Sequence, residues 1–196
     1  ALGIGAATPV VTYDDYRNAL AGRIAWVLRC HGGEARVLDG GLQAWIAAGG
    51  ELETGVVDPA PADTPFPVHE RHRLIDLDGM RGRLAAGVQV VDARSTRQYS
   101  GAETHSRRAG HIPGARSMPY TELLDASGHF LPPPQLRHRL ERAGVDLAAP
   151  AVAYCNGGVS ATVVGNAIEL AGGRPAEVYD GSWNEWGARD DLPLER

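Results

Sequence analysis

Short apolar runs alternate with segments of helical spacing along most of this chain. Residues 9–13 read as a buried strand closed by Asp14 and Asp15. From Tyr16 to about Cys30, Leu20, Ile24, Val27 and Leu28 recur at helical spacing, and His31-Gly32-Gly33 stops that helix. Residues 35–38 read as a second strand, and 41–48 as a short helix closed by Gly49-Gly50. The stretch 51–70 carries Gly55, Pro59, Pro61, Pro65 and Pro67 with little periodicity, the composition of a linker. A new unit starts near Arg71, with a helix over 78–86, a buried strand over 88–92 and a polar loop through Gly110. A proline-led helix over 133–143 follows, then a strand, a cysteine and a further helix, a strand at 177–179 and a terminal segment around 182–186. Strands alternating with helices predict an α/β fold whose sheet is mostly parallel and flanked by helices on both faces.

The first segment repeats in the second. Shifted by 141 positions, Pro9 meets Pro150, Val11 meets Val152, Tyr13 meets Tyr154 and Gly32 meets Gly173, without a gap. Val37 then meets Val178, Asp39-Gly40 meets Asp180-Gly181, and Trp45 meets Trp186. The pattern predicts a tandem duplication: 1–55 as the C-terminal half of a first domain, 56–70 as linker, and 71–196 as a complete second domain. By the same arithmetic about 70 residues of the first copy have no counterpart here. The expectation is an N-terminal truncation or a start lying upstream of Ala1. A half-domain by itself leaves a sheet edge and an apolar helix face uncovered.

Composition narrows the function classes. An apolar fraction of 43% and a charged fraction of 22% are ordinary for a globular protein. A net charge of −5 with no basic run argues against a nucleic-acid partner. No stretch is apolar for long enough to span a bilayer, and no signal-peptide pattern opens the chain. The two cysteines, Cys30 and Cys155, do not make a disulfide framework, so a reducing cytoplasm is expected.

Residues 151–161 carry the candidate chemistry. A short apolar strand runs into Cys155; Asn156-Gly157-Gly158 makes a turn, and a helix begins near Ser160. A thiol between a strand end and a helix N-terminus sits where backbone N–H groups point outward and the helix dipole favours negative charge, an environment that favours the thiolate. Asn156-Gly157-Gly158 does not pack as core, and glycines let consecutive amides face one point. No lysine follows, as a phosphate-binding loop would need. In the first segment Asp14 stands where Cys155 stands in the second, so that copy has no nucleophile and a structural or docking role is expected.

The loop Cys155-Asn156-Gly157-Gly158-Val159-Ser160 resembles the active-site loop of rhodanese-type sulfurtransferases. Asp92-Ala93-Arg94-Ser95 through Tyr99-Ser100-Gly101, followed by Gly110-His111-Ile112-Pro113-Gly114-Ala115, resembles a second signature of that family. Tyr179-Asp180-Gly181-Ser182-Trp183-Asn184-Glu185-Trp186-Gly187 resembles a third. The resemblance implies tandem rhodanese-like domains, the first inactive and incomplete at its N-terminus. It also implies sulfur transfer in two displacements: Cys155 takes a sulfane sulfur from a small-molecule donor, and a thiol or cyanide acceptor removes it. Neither metal nor organic cofactor is required. The backbone of Asn156, Gly157, Gly158, Val159 and Ser160 is the expected cradle for the persulfide. Thiosulfate is the default donor and 3-mercaptopyruvate the alternative; a non-catalytic, regulatory sulfur-binding module is a second class. A phosphatase of related fold fits less well, because the loop is short and holds no arginine.

The remaining candidates have plainer readings beside them. Asp92 and Arg94 end a strand at the edge where α/β sheets place ligands, or else pair with each other to support the loop. Arg97, Arg107 and Arg108, in the loop after that strand, are expected to bind an anionic donor, against a reading as solvated charges. In mercaptopyruvate-type members an arginine precedes the aromatic of this motif, whereas here Gln98 precedes Tyr99. Thiosulfate-type members carry basic residues in the cysteine loop, and this loop has none. His111 is read as shaping the turn through backbone hydrogen bonds, and Trp45, Trp183 and Trp186 as packing residues.

Overall fold

The computed structural model describes residues 2–66 and 73–196. The first segment folds as β1 (Val10–Thr12), α1 (Ala19–Cys30), β2 (Ala35–Val37) and α2 (Gly41–Ala47). The second holds β3 (Leu74–Ile75), α3 (Leu77–Ala85), β4 (Gln89–Asp92), α4 (Thr96–Tyr99) and β5 (Arg116–Ser117). A 3-10 turn at Tyr120–Leu123 follows, then α5 (Pro133–Arg142), β6 (Ala151–Tyr154), α6 (Ala161–Leu170), β7 (Glu177–Tyr179) and α7 (Ser182–Trp186). β3, α4, β5 and the 3-10 turn are too short to show a period and were not expected from the sequence.

The strands lie in two parallel sheets, β1-β2 and β3-β7-β6-β4-β5. The α/β class with a mostly parallel, helix-flanked sheet therefore holds. β6 is central, and all four of its residues are buried because helices cover both faces of a parallel sheet. Alternation along β6 divides the core. Val152 and Tyr154 pack with Met80, Ile112, Tyr179, Trp183 and Trp186, whereas Ala151, Ala153 and Cys155 share the other cluster with Val164, Ile168 and Leu136. α6 is apolar nearly all round, with every residue from Ala161 to Ile168 buried.

α1 packs on α6, but not through the face that its spacing suggested. Ala19, Ala21, Gly22, Ala25 and Trp26 are buried, while Leu20 and Ile24 are 51% and 55% exposed. The reason is closeness of approach. The indole of Trp26 lies where a side chain at Gly165 would be, since a Cβ there would fall 2.7 Å from the ring. Gly22 faces Thr162 in the same way, with its Cβ position 3.2 Å from the hydroxyl. Small residues permit this contact and larger aliphatic ones do not.

Several local geometries recur at the sequence shift. β1 pairs with β2 as Val11 to Arg36 and Thr12 to Val37; β6 pairs with β7 as Val152 to Glu177 and Ala153 to Val178. Leu42 N–H donates to Asp14 O at 3.0 Å, and Trp183 N–H to Cys155 O at 2.9 Å. Gly41 and Ser182 both have positive φ, 61° and 52°. At the helix ends the match slips by one: the left-handed glycines are Gly32 (φ 89°) and Gly172 (φ 76°), so Gly32 does not superpose on Gly173.

Residues 51–66 contain no helix or strand but lie against the first segment. A Cβ at Gly33 would meet the Phe66 ring at 2.6 Å, and one at Gly5 would meet the Thr64 carbonyl oxygen at 2.4 Å. Residues 67–70 and the boundary at Arg71 fall outside the described residues. Val11 of β1 and Tyr13 just after it are exposed together with Leu20 and Ile24 of α1.

Candidate active site

Cys155 follows the central strand, at the sheet edge that also receives Asp92 from β4 and Tyr179 from β7. This is the carboxyl edge, where parallel α/β sheets gather ligands. The thiol is nearly buried, with 3% of the residue exposed. Gly158 has φ 73°, and a Cβ there would lie 2.8 Å from the Asp180 carbonyl oxygen, so the turn requires glycine twice over.

α7 holds the loop from behind. Ser182 Oγ accepts hydrogen bonds from the amides of Cys155 (3.1 Å) and Gly158 (3.0 Å) and donates to Tyr179 O at 2.7 Å. Trp183 N–H donates to Cys155 O, and Asn184 N–H to Asn156 O. The remaining amides are the informative ones. Among the described residues, the N–H groups of Asn156, Gly157, Val159, Ser160 and Ala161 have no hydrogen-bond acceptor in the chain. Ser160 precedes α6 without capping it through its side chain. These donors follow the strand end that carries the thiol and lead into α6, and unpaired amides at a helix N-terminus favour an anion.

Asp14 offers a direct contrast. Its Oδ1 accepts from Tyr16 N–H (2.9 Å) and Asn18 N–H (3.0 Å), and its Oδ2 from Ala21 N–H (2.7 Å). The carboxylate thus fills the amide cradle of its own loop. The two loops approach each other at Tyr120. Burial raises the Tyr120 phenol above the ordinary tyrosine range, reinforced by Tyr16, Asp14 and Cys155 and opposed by Arg17.

Asp92 and Arg94 are brought together but lie deep, at 0% and 3% exposure. Arg94 Nη2 sits 2.6 Å from Asp92 Oδ2 and also donates to Gly110 O at 2.7 Å. Tyr154 Oη donates to Asp92 Oδ2 at 2.5 Å, and the guanidinium lies over the rings of Trp183 and Tyr154. Burial lowers the Arg94 pKa, but the hydrogen bond and charge of Asp92 outweigh it and the net shift is upward. The same burial, with Asp92 beside it, pushes the Tyr154 phenol well up.

The arginines of the following loop lie elsewhere. Arg97 faces Glu103 at 3.4 Å and Arg107 pairs with Asp190 at 2.6 Å, each largely exposed. Arg108 donates to the carbonyls of Leu192 and Trp186. The loop does reach the cysteine turn, through Ser106 Oγ at 3.5 Å from Asn184 Oδ1 and Asn184 against Gly157. Gln98 caps α4 reciprocally with Ser95. His111 bonds Tyr99 O through Nδ1 and stacks on the Tyr99 ring. Trp183 and Trp186 are buried, whereas Trp45 is 44% exposed.

Residues 76–189, more than half of the chain, match the family described as Rhodanese-like domain. The chain belongs to the rhodanese family. Among its relatives, human 3-mercaptopyruvate sulfurtransferase is 37% identical over 191 residues, covering 94% of this chain and 64% of that protein. The putative thiosulfate sulfurtransferase SseB of Mycobacterium tuberculosis is 38% identical over 199 residues, covering 99% of this chain and 69% of SseB. A probable 3-mercaptopyruvate sulfurtransferase of Pseudomonas aeruginosa is 39% identical, covering 95% and 67%. This rhodanese-family chain therefore spans about two thirds of the length of the curated relatives it matches. The anaerobic ergothioneine biosynthesis enzyme of Chlorobium limicola, solved with trimethyl histidine, shares the fold, with a TM-score of 0.87 at 24% identity over 99% of this chain and 52% of that one. No described helix is long and apolar enough to cross a membrane, and no described group of three His, Cys, Asp or Glu residues is arranged to hold a metal.

Sequence reasoning gave no site role to Ser182, quoted only within a motif, and missed Arg23 altogether. Arg23 of α1, 135 positions before Gly158, reaches the cysteine turn: Nη2 lies 2.6 Å from Asp180 Oδ1, and Nη1 lies 3.5 Å from Gly158 O. Its only sequence signal is a charge flanking the apolar stripe, three residues after Leu20 and four before Val27.

Proposed function

We propose that this chain is a sulfurtransferase that carries a sulfane sulfur as a persulfide on Cys155. The observation behind this reading is that the amides of Asn156, Gly157, Val159, Ser160 and Ala161, which follow Cys155 at the N-terminus of α6, bond nothing else in the chain. In the first displacement the Cys155 thiolate attacks the outer sulfur of thiosulfate, the sulfur–sulfur bond breaks, and sulfite leaves with the bonding pair. The new Cys155–S–S⁻ anion lies among the N–H donors. In the second, cyanide or a thiolate attacks the terminal sulfur, leaves as thiocyanate or a persulfide, and returns Cys155 to the thiolate. Asp92 and Arg94 support the floor of the site rather than touching the reacting atoms.

The architecture that goes with this reading is a tandem duplication, supported by the matched strand registers and by Leu42 and Trp183 donating to equivalent carbonyls. 3-Mercaptopyruvate is a second reading of the donor, favoured by the names of the human and Pseudomonas relatives. There the thiolate takes the substrate's sulfur and the carbon fragment leaves as the enolate of pyruvate. Arg97 and Arg107 are candidate donor-binding residues under either reading, although each faces a surface carboxylate. Two cysteines, neither in a disulfide, favour a reducing compartment, the cytoplasm.

The test is thiocyanate production from cyanide with each donor, with the mass of Cys155 measured after loading. Turnover and a gain of one sulfur are expected with at least one donor; Cys155→Ser abolishes both and Cys30→Ser leaves them. Failure of both donors to turn over or to load sulfur overturns the enzyme reading, and loading without turnover favours a sulfur-binding module.

A further inference from the structure

We infer that Arg23 is a positioning residue for the Cys155 loop, supplied by the first segment to a turn that has no basic residue of its own. The inference rests on the sulfurtransferase reading for its kinetic consequence, but the geometry stands apart from it. Gly158 is the pivot of the turn: its φ of 73° sends the chain from the strand end toward α6, and its amide is tied to Ser182 Oγ. Its carbonyl oxygen lies on the opposite side and faces Arg23 Nη1, while Nη2 of the same guanidinium makes a short ion pair with Asp180. Asp180 follows β7, and its own carbonyl presses on Gly158 from 2.8 Å, measured at the missing Cβ. The planar fork therefore bridges the two chain segments that border the cysteine turn.

Arg23 is held where it can do this. Its neighbours Gly22, Ala25 and Trp26 are buried against α6, so the helix position is set by packing. The side chains of Arg23 and Asp180 are 22% and 33% exposed, partly shielded from solvent screening. The Gly158 carbonyl shares its peptide plane with the Val159 N–H, which bonds nothing else in the chain, so holding the one orients the other. Arg23 in this scheme acts through the loop and contacts neither sulfur nor donor.

The test compares Arg23→Met, which keeps the aliphatic stem, with Arg23→Lys and Asp180→Asn in the full chain. Two readouts are taken: steady-state sulfur transfer, and the rate of Cys155 alkylation by iodoacetamide at neutral pH, which needs no sulfur donor. Arg23→Met is expected to lower kcat about tenfold with KM changed less than about twofold, and to lower alkylation similarly. Asp180→Asn is expected to follow it, and Arg23→Lys to recover part of the loss. Rates for Arg23→Met within about twofold of the parent in both readouts overturn the proposal. So does an Asp180→Asn variant that behaves as the parent while Arg23→Met is impaired, since the bridge then plays no part. If no donor supports turnover in the parent, the sulfurtransferase reading fails and the alkylation arm still decides Arg23. Should Arg23→Met lose its near-ultraviolet circular dichroism, Arg23→Lys and Asp180→Asn carry the decision.

Discussion

Asp92 and Arg94 close a strand in the interior, and each is expensive to bury without the other. The carboxylate accepts from Arg94 and from Tyr154, and the guanidinium is sandwiched by Trp183 and Tyr154 while it holds Gly110. Breaking such a pair from one side leaves an uncompensated buried charge, at a cost of about 3 kcal/mol or more. Asp92→Asn is accordingly expected to lower the unfolding free energy by about 3 kcal/mol in urea titration. A change of less than about 0.5 kcal/mol, the range of an ordinary surface substitution, would contradict this account. At this scale the sequence was legible where chemistry is local. Cys155, its glycines and the helix after it announce themselves within a dozen residues. Arg23 did not, because its partners lie 135 and 157 positions away and its own helix advertised a different face.

Among the elements, α7 is small but decisive for the site. Its first residue, Ser182, is fully buried at φ 52° and satisfies two loop amides and one strand carbonyl with a single hydroxyl. Ser182→Ala leaves those groups without partners, which costs about 1–3 kcal/mol. It is expected to reduce thermal stability and to slow Cys155 alkylation; melting by circular dichroism and the alkylation rate check both, and a fully active variant of parental stability would refute it. The helix itself was foreseen only as a terminal segment. Five residues show no period, and what fixes them is the hydrogen bonding of Trp183 and Asn184 to the cysteine loop, a tertiary effect. The long elements, α1, α5 and α6, were legible because each runs to about three turns. The buried face of α1 was not, since Gly22 and Ala25 give no hydropathy signal equal to Leu20 and Ile24.

Over the whole molecule, the first segment is fastened to the five-stranded sheet of the second by Trp26. This residue belongs to α1, yet it sits with no solvent exposure in the core cluster of the second segment, against Gly165 and beneath the guanidiniums of Arg73 and Arg29. Arg29 adds a 2.7 Å hydrogen bond to Asn166, and Asn18 one of 2.9 Å to Gly128 O. Trp26→Ala removes the largest of these contacts and is expected to cost about 3–5 kcal/mol. It should also split a single unfolding transition into two, seen as a mismatch between circular dichroism and Cys155 alkylation in urea. One unshifted transition would show that the segments are joined by other means. The correspondence at 141 positions told where the two segments resemble each other, and nothing about how they dock, because docking depends on side chains that differ between them.

Asp14 gives a final consequence. Its two carboxylate oxygens occupy three amides of its own loop, so that loop carries its counter-charge by covalent attachment. The loop is complete the moment the chain folds and has no use for anything dissolved around it. The turn after Cys155 leaves the amides of Asn156, Gly157, Val159, Ser160 and Ala161 without an acceptor in the chain, and under the proposed function a persulfide from outside completes it. One scaffold thus serves as its own closed reference: the position that holds a built-in acid marks where, in the other position, a borrowed anion belongs.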